Sequence, residues 1–179
     1  SSRSNGLLAR HPDKAAVLAL TQNLAKPYPG VPEAQYSVAQ AALAAGQSGL
    51  AASAVREALR LRPDWELAAL FNGALLQQKS NAEAAAYFRE FLARYPRAME
   101  VRLNYARLLV AAQQYVQARG EFETLLKEFP DSQDVMFAVG VLALQLKDFD
   151  AAEAQLQRAL DAGYKNPDEV RLYLGQDRK

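Results

Sequence analysis

Residues 126 to 160 read LKEFPDSQDVMFAVGVLALQLKDFDAAEAQLQRAL, and the reading of this stretch decides the fold. Pro130 has no amide to give a helix interior and ends the helix before it, while Asp131 or Ser132 can accept from an open amide at the start of the next. From about Gln133, Val135, Met136, Val139, Val141, Leu142, Leu144 and Leu146 place apolar side chains on more than one side of a helix. That distribution suits a helix packed between two neighbours. Lys147 and Asp148 interrupt the run. Between Phe149 and Ala162 the apolar set narrows to Phe149, Ala152, Leu156, Ala159 and Leu160, with Glu153, Gln155, Gln157 and Arg158 toward water and Gly163 as the stop. The unit is a helix, a tight turn and an antiparallel helix, so the expected fold class is all-α.

The same punctuation recurs along the chain. Pro29, Pro63, Pro96 and Pro130 are spaced by 34, 33 and 34 residues. A small residue stands inside each first helix at Ala39, Gly73, Ala106 and Gly140, and an alanine opens each second helix at Ala51, Ala84, Ala118 and Ala152. One turn later the bulky residues are Val55, Phe88, Phe122 and Leu156; Gly46, Tyr115 and Phe149 fall at the turns. The period and these residues resemble the tetratricopeptide repeat. The resemblance implies a right-handed superhelical solenoid of antiparallel helix pairs, built as a single array over residues 1–179. Its approximate units are a partial one at 1–31, then 32–65, 66–98, 99–132 and 133–167, with 168–179 as a lone helix or cap. Three departures stand out: Gln35, Ala69, Arg102 and Met136 replace the family's early aromatic, one residue is missing from the turn near Lys79 to Asn81, and Tyr164 replaces a fifth proline.

In the partial unit, Leu7 and Leu8 close a clipped first helix, His11-Pro12-Asp13 turns, and Ala15 to Ala25 form its partner. Pro27, Pro29, Gly30 and Pro32 then make a stiff joint. At the other end, DEVRLYLG at 168–175 has the character of Met99 to Ala106 and reads as a first helix without its second.

Composition excludes several classes of function. Lysine and arginine total 21 against 20 acidic residues, so no net field favours nucleic acid. There is no cysteine, hence no disulfide and no thiolate metal site. The longest uncharged run, the 22 residues from Ala34 to Val55, is long enough to span a bilayer, but it carries Gln35, Ser37, Gln40, Gln47, Ser48 and Ser53 and is broken by Gly46 and Gly49 where the repeat turns. It reads as a helix pair in water. Ser1 to Ser4 open the chain with no signal-peptide pattern.

No catalytic constellation appears, and neither a cofactor nor a metal is expected. The one histidine, His11, lies in an expected turn. Asp148 and Asp150 flank Phe149 at a helix start, where caps and the helix dipole favour acids. Gly46-Gln47-Ser48-Gly49 lacks the lysine and the strand of a phosphate loop.

By its resemblance the chain should bind on the concave face that first helices line. Carried over residue by residue, that face holds Glu33, Tyr36, Gln40 and Leu43; Leu67, Leu70 and Ala74; Glu100, Leu103, Asn104, Arg107 and Val110; and Asp134, Phe137, Val141 and Leu144. The expectation is a non-enzymatic adaptor that takes a peptide or a partner helix by apolar contact, with Gln40, Asn104 and Arg107 adding polar specificity. Tyr36, Leu70, Leu103 and Phe137 fit equally as packing between adjacent first helices. The family's chaperone-binding type clamps a terminal carboxylate with basic side chains, whereas Glu100 and Asp134 stand in those positions here and would repel one. Phrases such as VRLNYARLLV and LALQLKDFDAAEAQL are similar to bacterial envelope members of the family, among them outer-membrane lipoproteins that serve as protease adaptors; the lipidated cysteine of those proteins is absent. Two other readings stay open. One is a scaffold self-associating through the helix at Pro167 to Gln176, and the other is the repeat segment of a larger enzyme.

Overall fold

The structure, a computed structural model, describes residues 13–176. These residues form ten α-helices and no strand. The short helix expected to end at Leu7 and Leu8, and His11 and Pro12 of the expected turn, lie outside the described residues. The chain divides into two compact units, Ser1–Ser80 and Asn81–Lys179. The division falls at the turn that is one residue short in sequence.

The first unit holds α1 (Lys14–Ala25), α2 (Pro32–Ala44), α3 (Ser48–Leu61) and α4 (Glu66–Lys79), each packed on the next in chain order. Asp13 caps α1, its carboxylate accepting from the Ala15 amide at 3.1 Å. Pro32 begins α2, where its fixed φ suits the first helical turn and its missing amide costs nothing. Between α2 and α3 the chain reverses at Gly46, whose φ of +76° lies in the left-handed region open to glycine. Ala39, Ala42, Ala51 and Val55 are fully buried at this pair, and Leu18 of α1 joins the same core. Alanine on both helices lets their backbones approach closely, so the core is thin but dense.

The second unit holds α5 (Asn81–Arg94), α6 (Met99–Ala111), α7 (Tyr115–Glu128), α8 (Gln133–Gln145), α9 (Phe149–Asp161) and α10 (Pro167–Gln176), again stacked in chain order. Of the two expected caps for α8 it is Ser132 that serves, accepting from the Val135 amide. Lys147 turns the chain with φ +62°, and Asp148 caps α9 through the Ala151 amide. Gly140 is needed where it stands, because a Cβ there would lie 2.8 Å from the Leu156 side chain. Leu156 in turn is fully buried, together with Val170 of α10.

Arg102, in the place of the family's early aromatic, is held by two partners. Its guanidinium pairs with Glu121 on α7 and donates to the Pro96 carbonyl at 2.7 Å, so its charge is compensated although the side chain is only 12% exposed. Met136 and Ala69 fill the same place in their repeats as buried apolar residues.

Candidate functional site

Each residue expected on the binding face sits on a first helix: α2 and α4 in one unit, α6 and α8 in the other. They differ in what they touch. Leu67 and Val110 are 51% and 37% exposed, and Gln40, Ala74 and Arg107 are also exposed. Leu43, Leu70, Leu103, Asn104, Val141 and Leu144 are half-buried. The Asn104 side-chain amide donates to the Glu100 carbonyl one turn back at 2.8 Å.

Tyr36 and Phe137 have a second occupation. The Tyr36 ring lies 5.0 Å from Trp65 and 5.5 Å, edge-on, from Phe71 of α4. Phe137 stacks on Tyr164 at 4.5 Å and meets Tyr173 of α10 edge-on at 5.8 Å. In both units one aromatic thus ties a first helix to the next first helix, the packing arrangement that the sequence left open beside the binding one. Burial pushes the phenols of Tyr36 and Tyr164 above the usual tyrosine range. Tyr36, Trp65, Phe71, Phe137 and Tyr173 are only partly covered, so they border the face as well as support it, while Tyr164 is buried.

The partners Trp65, Phe71, Tyr164 and Tyr173 were not singled out from sequence as part of this face. A signal was there: Phe71 falls one residue and Tyr173 two residues beyond the register that Tyr36 and Phe137 occupy one 34-residue repeat earlier. Around Trp65 the surface is charged as well as aromatic. The Arg62 guanidinium carbon stands 5.0 Å over the indole and pairs with Glu33 at 3.0 Å. Asp134 approaches Lys165 at 3.9 Å, both exposed. Acids therefore open α2 and α8 in the favourable field of the helix start.

On the second helices the charges knit repeats together. Arg119 of α7 bonds Glu123 on its own helix and the α9 cap Asp148, both at 2.8 Å, while Arg158 of α9 donates to the Pro130 carbonyl at 2.9 Å. The hydrogen bond from Arg119 holds the Asp148 carboxyl below its ordinary range. Among the described residues no group of histidine or acidic side chains is arranged to hold a metal, and no helix is long and apolar enough to cross a membrane.

Comparison with known proteins gives a consistent set of likenesses. Two family models, each described as tetratricopeptide repeat, match residues 75–135 and 106–167. A search of curated proteins finds no match. Among solved structures, MamA from Desulfovibrio magneticus RS-1, from its residue 41 onward, is 16% identical with a TM-score of 0.67, covering 82% of each chain. YrrB, described as a TPR protein with an unusual peptide-binding site, is 16% identical with a TM-score of 0.65 over 96% of this chain and 88% of its own. The pilF protein of Pseudomonas aeruginosa is 17% identical with a TM-score of 0.60 over 92% and 88%. At such identities the likeness is one of fold.

Proposed function

The chain belongs to the tetratricopeptide repeat family, and on that footing we propose that it is a non-enzymatic scaffold whose first helices hold a peptide or a partner's helix. The observation that carries the reading is repeated exposure of apolar side chains along one stripe of the first helices, at i, i+3, i+7 and i+10: Leu67 on α4 and Val110 on α6 are open, with Leu43, Leu103, Val141 and Leu144 half-open on the same class of helix. Apolar surface that a fold leaves uncovered at regular intervals favours a partner that covers it. Gln40, Asn104 and Arg107 supply the polar contacts that would set register and direction. YrrB, on the same fold, is described as having a peptide-binding site.

The test uses a library of random peptides panned against the intact protein. Enrichment of peptides with apolar anchors, lost in the Leu67→Asp/Val110→Asp double variant while the circular dichroism spectrum is kept, is the expected result. Equal enrichment by the double variant would sink the proposal. Phe137 is a poor choice for this purpose, since its contacts with Tyr164 and Tyr173 make any loss of binding inseparable from loss of packing.

A further inference from the structure

Asn72 breaks the repeat in the core rather than on the surface. One repeat away in either direction its position holds Val38 and Tyr105, and two repeats on it holds Val139; all four residues are buried. Asn72 is only 9% exposed, and its side-chain amide forms no hydrogen bond among the described residues. An apolar side chain would serve packing better, since an amide taken from water without a partner is unfavourable.

The amide lines a cavity of about 140 Å³ between α3 and α4, within the first unit. Space of that order holds a benzene-sized molecule. α3 begins at the cavity, with Ser48 and Gly49 on its wall. Gln47 stands at the cap position of this helix and makes no hydrogen bond to the first turn, whereas Asp148 closes the corresponding turn of α9. The Ser48 and Gly49 amides are therefore open, because first-turn amides find no acceptor within their own helix. A Cβ added at Gly49 would meet nothing within 4 Å, so the backbone there is bare; the same position carries Asp150 on α9.

The charges on the wall have one sign. Arg56 and Lys79 line the cavity, neither of them paired with an acid among the described residues, and Gln78 adds a second side-chain amide. No acid is part of the lining. α4 ends beside the cavity, and Lys79 in its last turn offsets the negative end of that helix. Two cations, a helix start, a hydroxyl and two amides thus converge on one small space. An anion satisfies all of them at once, and two positive charges match a dianion.

We propose that this cavity binds a phosphate-type oxyanion, held by the Ser48 and Gly49 amides, Arg56 and Lys79, with Asn72 donating from the floor. The buried asparagine is kept at the expense of packing because it completes this site. None of these residues belongs to the first-helix binding face, so the site stands whether or not that face takes a peptide.

Titration of the intact, isotope-labelled protein with inorganic phosphate, followed by NMR at an ionic strength held constant with chloride, tests this. Saturable shifts of the Ser48 and Gly49 amides and of the Asn72 side-chain amide are expected. Asn72→Val and Gly49→Asp should each weaken binding by about tenfold or more, the ordinary worth of one hydrogen bond to a charged group. Neither should lower the melting temperature: valine is the residue of this position in two other repeats, and an aspartate in the first turn suits a helix start. Shifts that do not saturate, or an affinity unchanged in either variant, overturn the proposal. Acetate bound as tightly as phosphate overturns it too, because a single negative charge would then suffice. Glycerol phosphate is the last arm. Binding tighter than that of inorganic phosphate makes a phosphomonoester the ligand, weaker binding makes it the free ion, and both outcomes support the site.

Discussion

Lys147 and Gln113 hold left-handed backbone, φ +62° and +59°, at the turn position where Gly46 has +76°. All three turns close the same way: the amide after the left-handed residue donates five positions back, Gln47 to Ala42, Gln114 to Leu109 and Asp148 to Ala143, at 2.8 to 2.9 Å. A side chain costs about 1 kcal/mol in that conformation, partly offset by the freedom a glycine gives the unfolded chain. Lys147→Gly should therefore raise stability by roughly 0.5 kcal/mol, read from urea denaturation, and Gly46→Ala should lower it by about 1 kcal/mol. Asp148 next door does two jobs, capping α9 and pairing with Arg119. Asparagine retains the first and loses the second. Asp148→Ala should cost about 1 kcal/mol more than Asp148→Asn, the ordinary worth of a cap. Because the folded carboxyl is held below its unfolded value, the stabilisation is present above the ordinary aspartate range and is lost as pH falls through it, below about pH 4. An acid melt of Asp148→Asn should lack that component; identical acid profiles for the variant and the wild type would remove the pair from the account.

At the scale of elements the small residue of the first helix governs pairing. The Gly140 backbone lies against Leu156, which leaves no space for a side chain, and at the same register Ala39 and Ala106 are fully buried with Val55 and Phe122 in the facing register. Gly140→Val should lower the stability of the second unit by roughly 2 kcal/mol or more through overpacking at α8–α9. Gly175→Ala, on α10 where a Cβ would meet nothing within 4 Å, should leave the melt unchanged or slightly raised, since alanine is the better helix former. A thermal melt of the two variants side by side checks the contrast. Equal losses would mean that the space opposite Gly140 does not set the cost of filling it. These elements were legible in advance because their signals are local: the prolines, the caps and the alternation of small and bulky residues all act within one turn of the chain. The choice between Asp131 and Ser132 as cap was not, since both can reach an open amide and only backbone direction selects Ser132.

For the molecule as a whole, each unit is stacked in chain order, so that within a unit stability passes from neighbour to neighbour. Removing α10 should expose Met136, Leu156 and Tyr164, which it helps bury, and hydrogen exchange should then rise in α8 and α9 before it rises in α6. Uniform acceleration throughout the second unit would instead show that the unit opens all at once.

Sequence by itself determined the period, the helix pairs, the family and the register of the first-helix residues, because each follows from spacing along a chain whose contacts are mostly between neighbours. Tertiary structure decided what those residues do. Tyr36 and Phe137 share a register with Leu70 and Leu103, yet they are wedged against Phe71 and Tyr173 of the next first helix, a contact between residues 35 and 36 positions apart. Arg102 breaks the family pattern harmlessly because Glu121 stands across from it on α7. In each case the physical reason is the same: periodicity fixes the direction in which a side chain leaves its helix, but burial depends on which neighbour stands there.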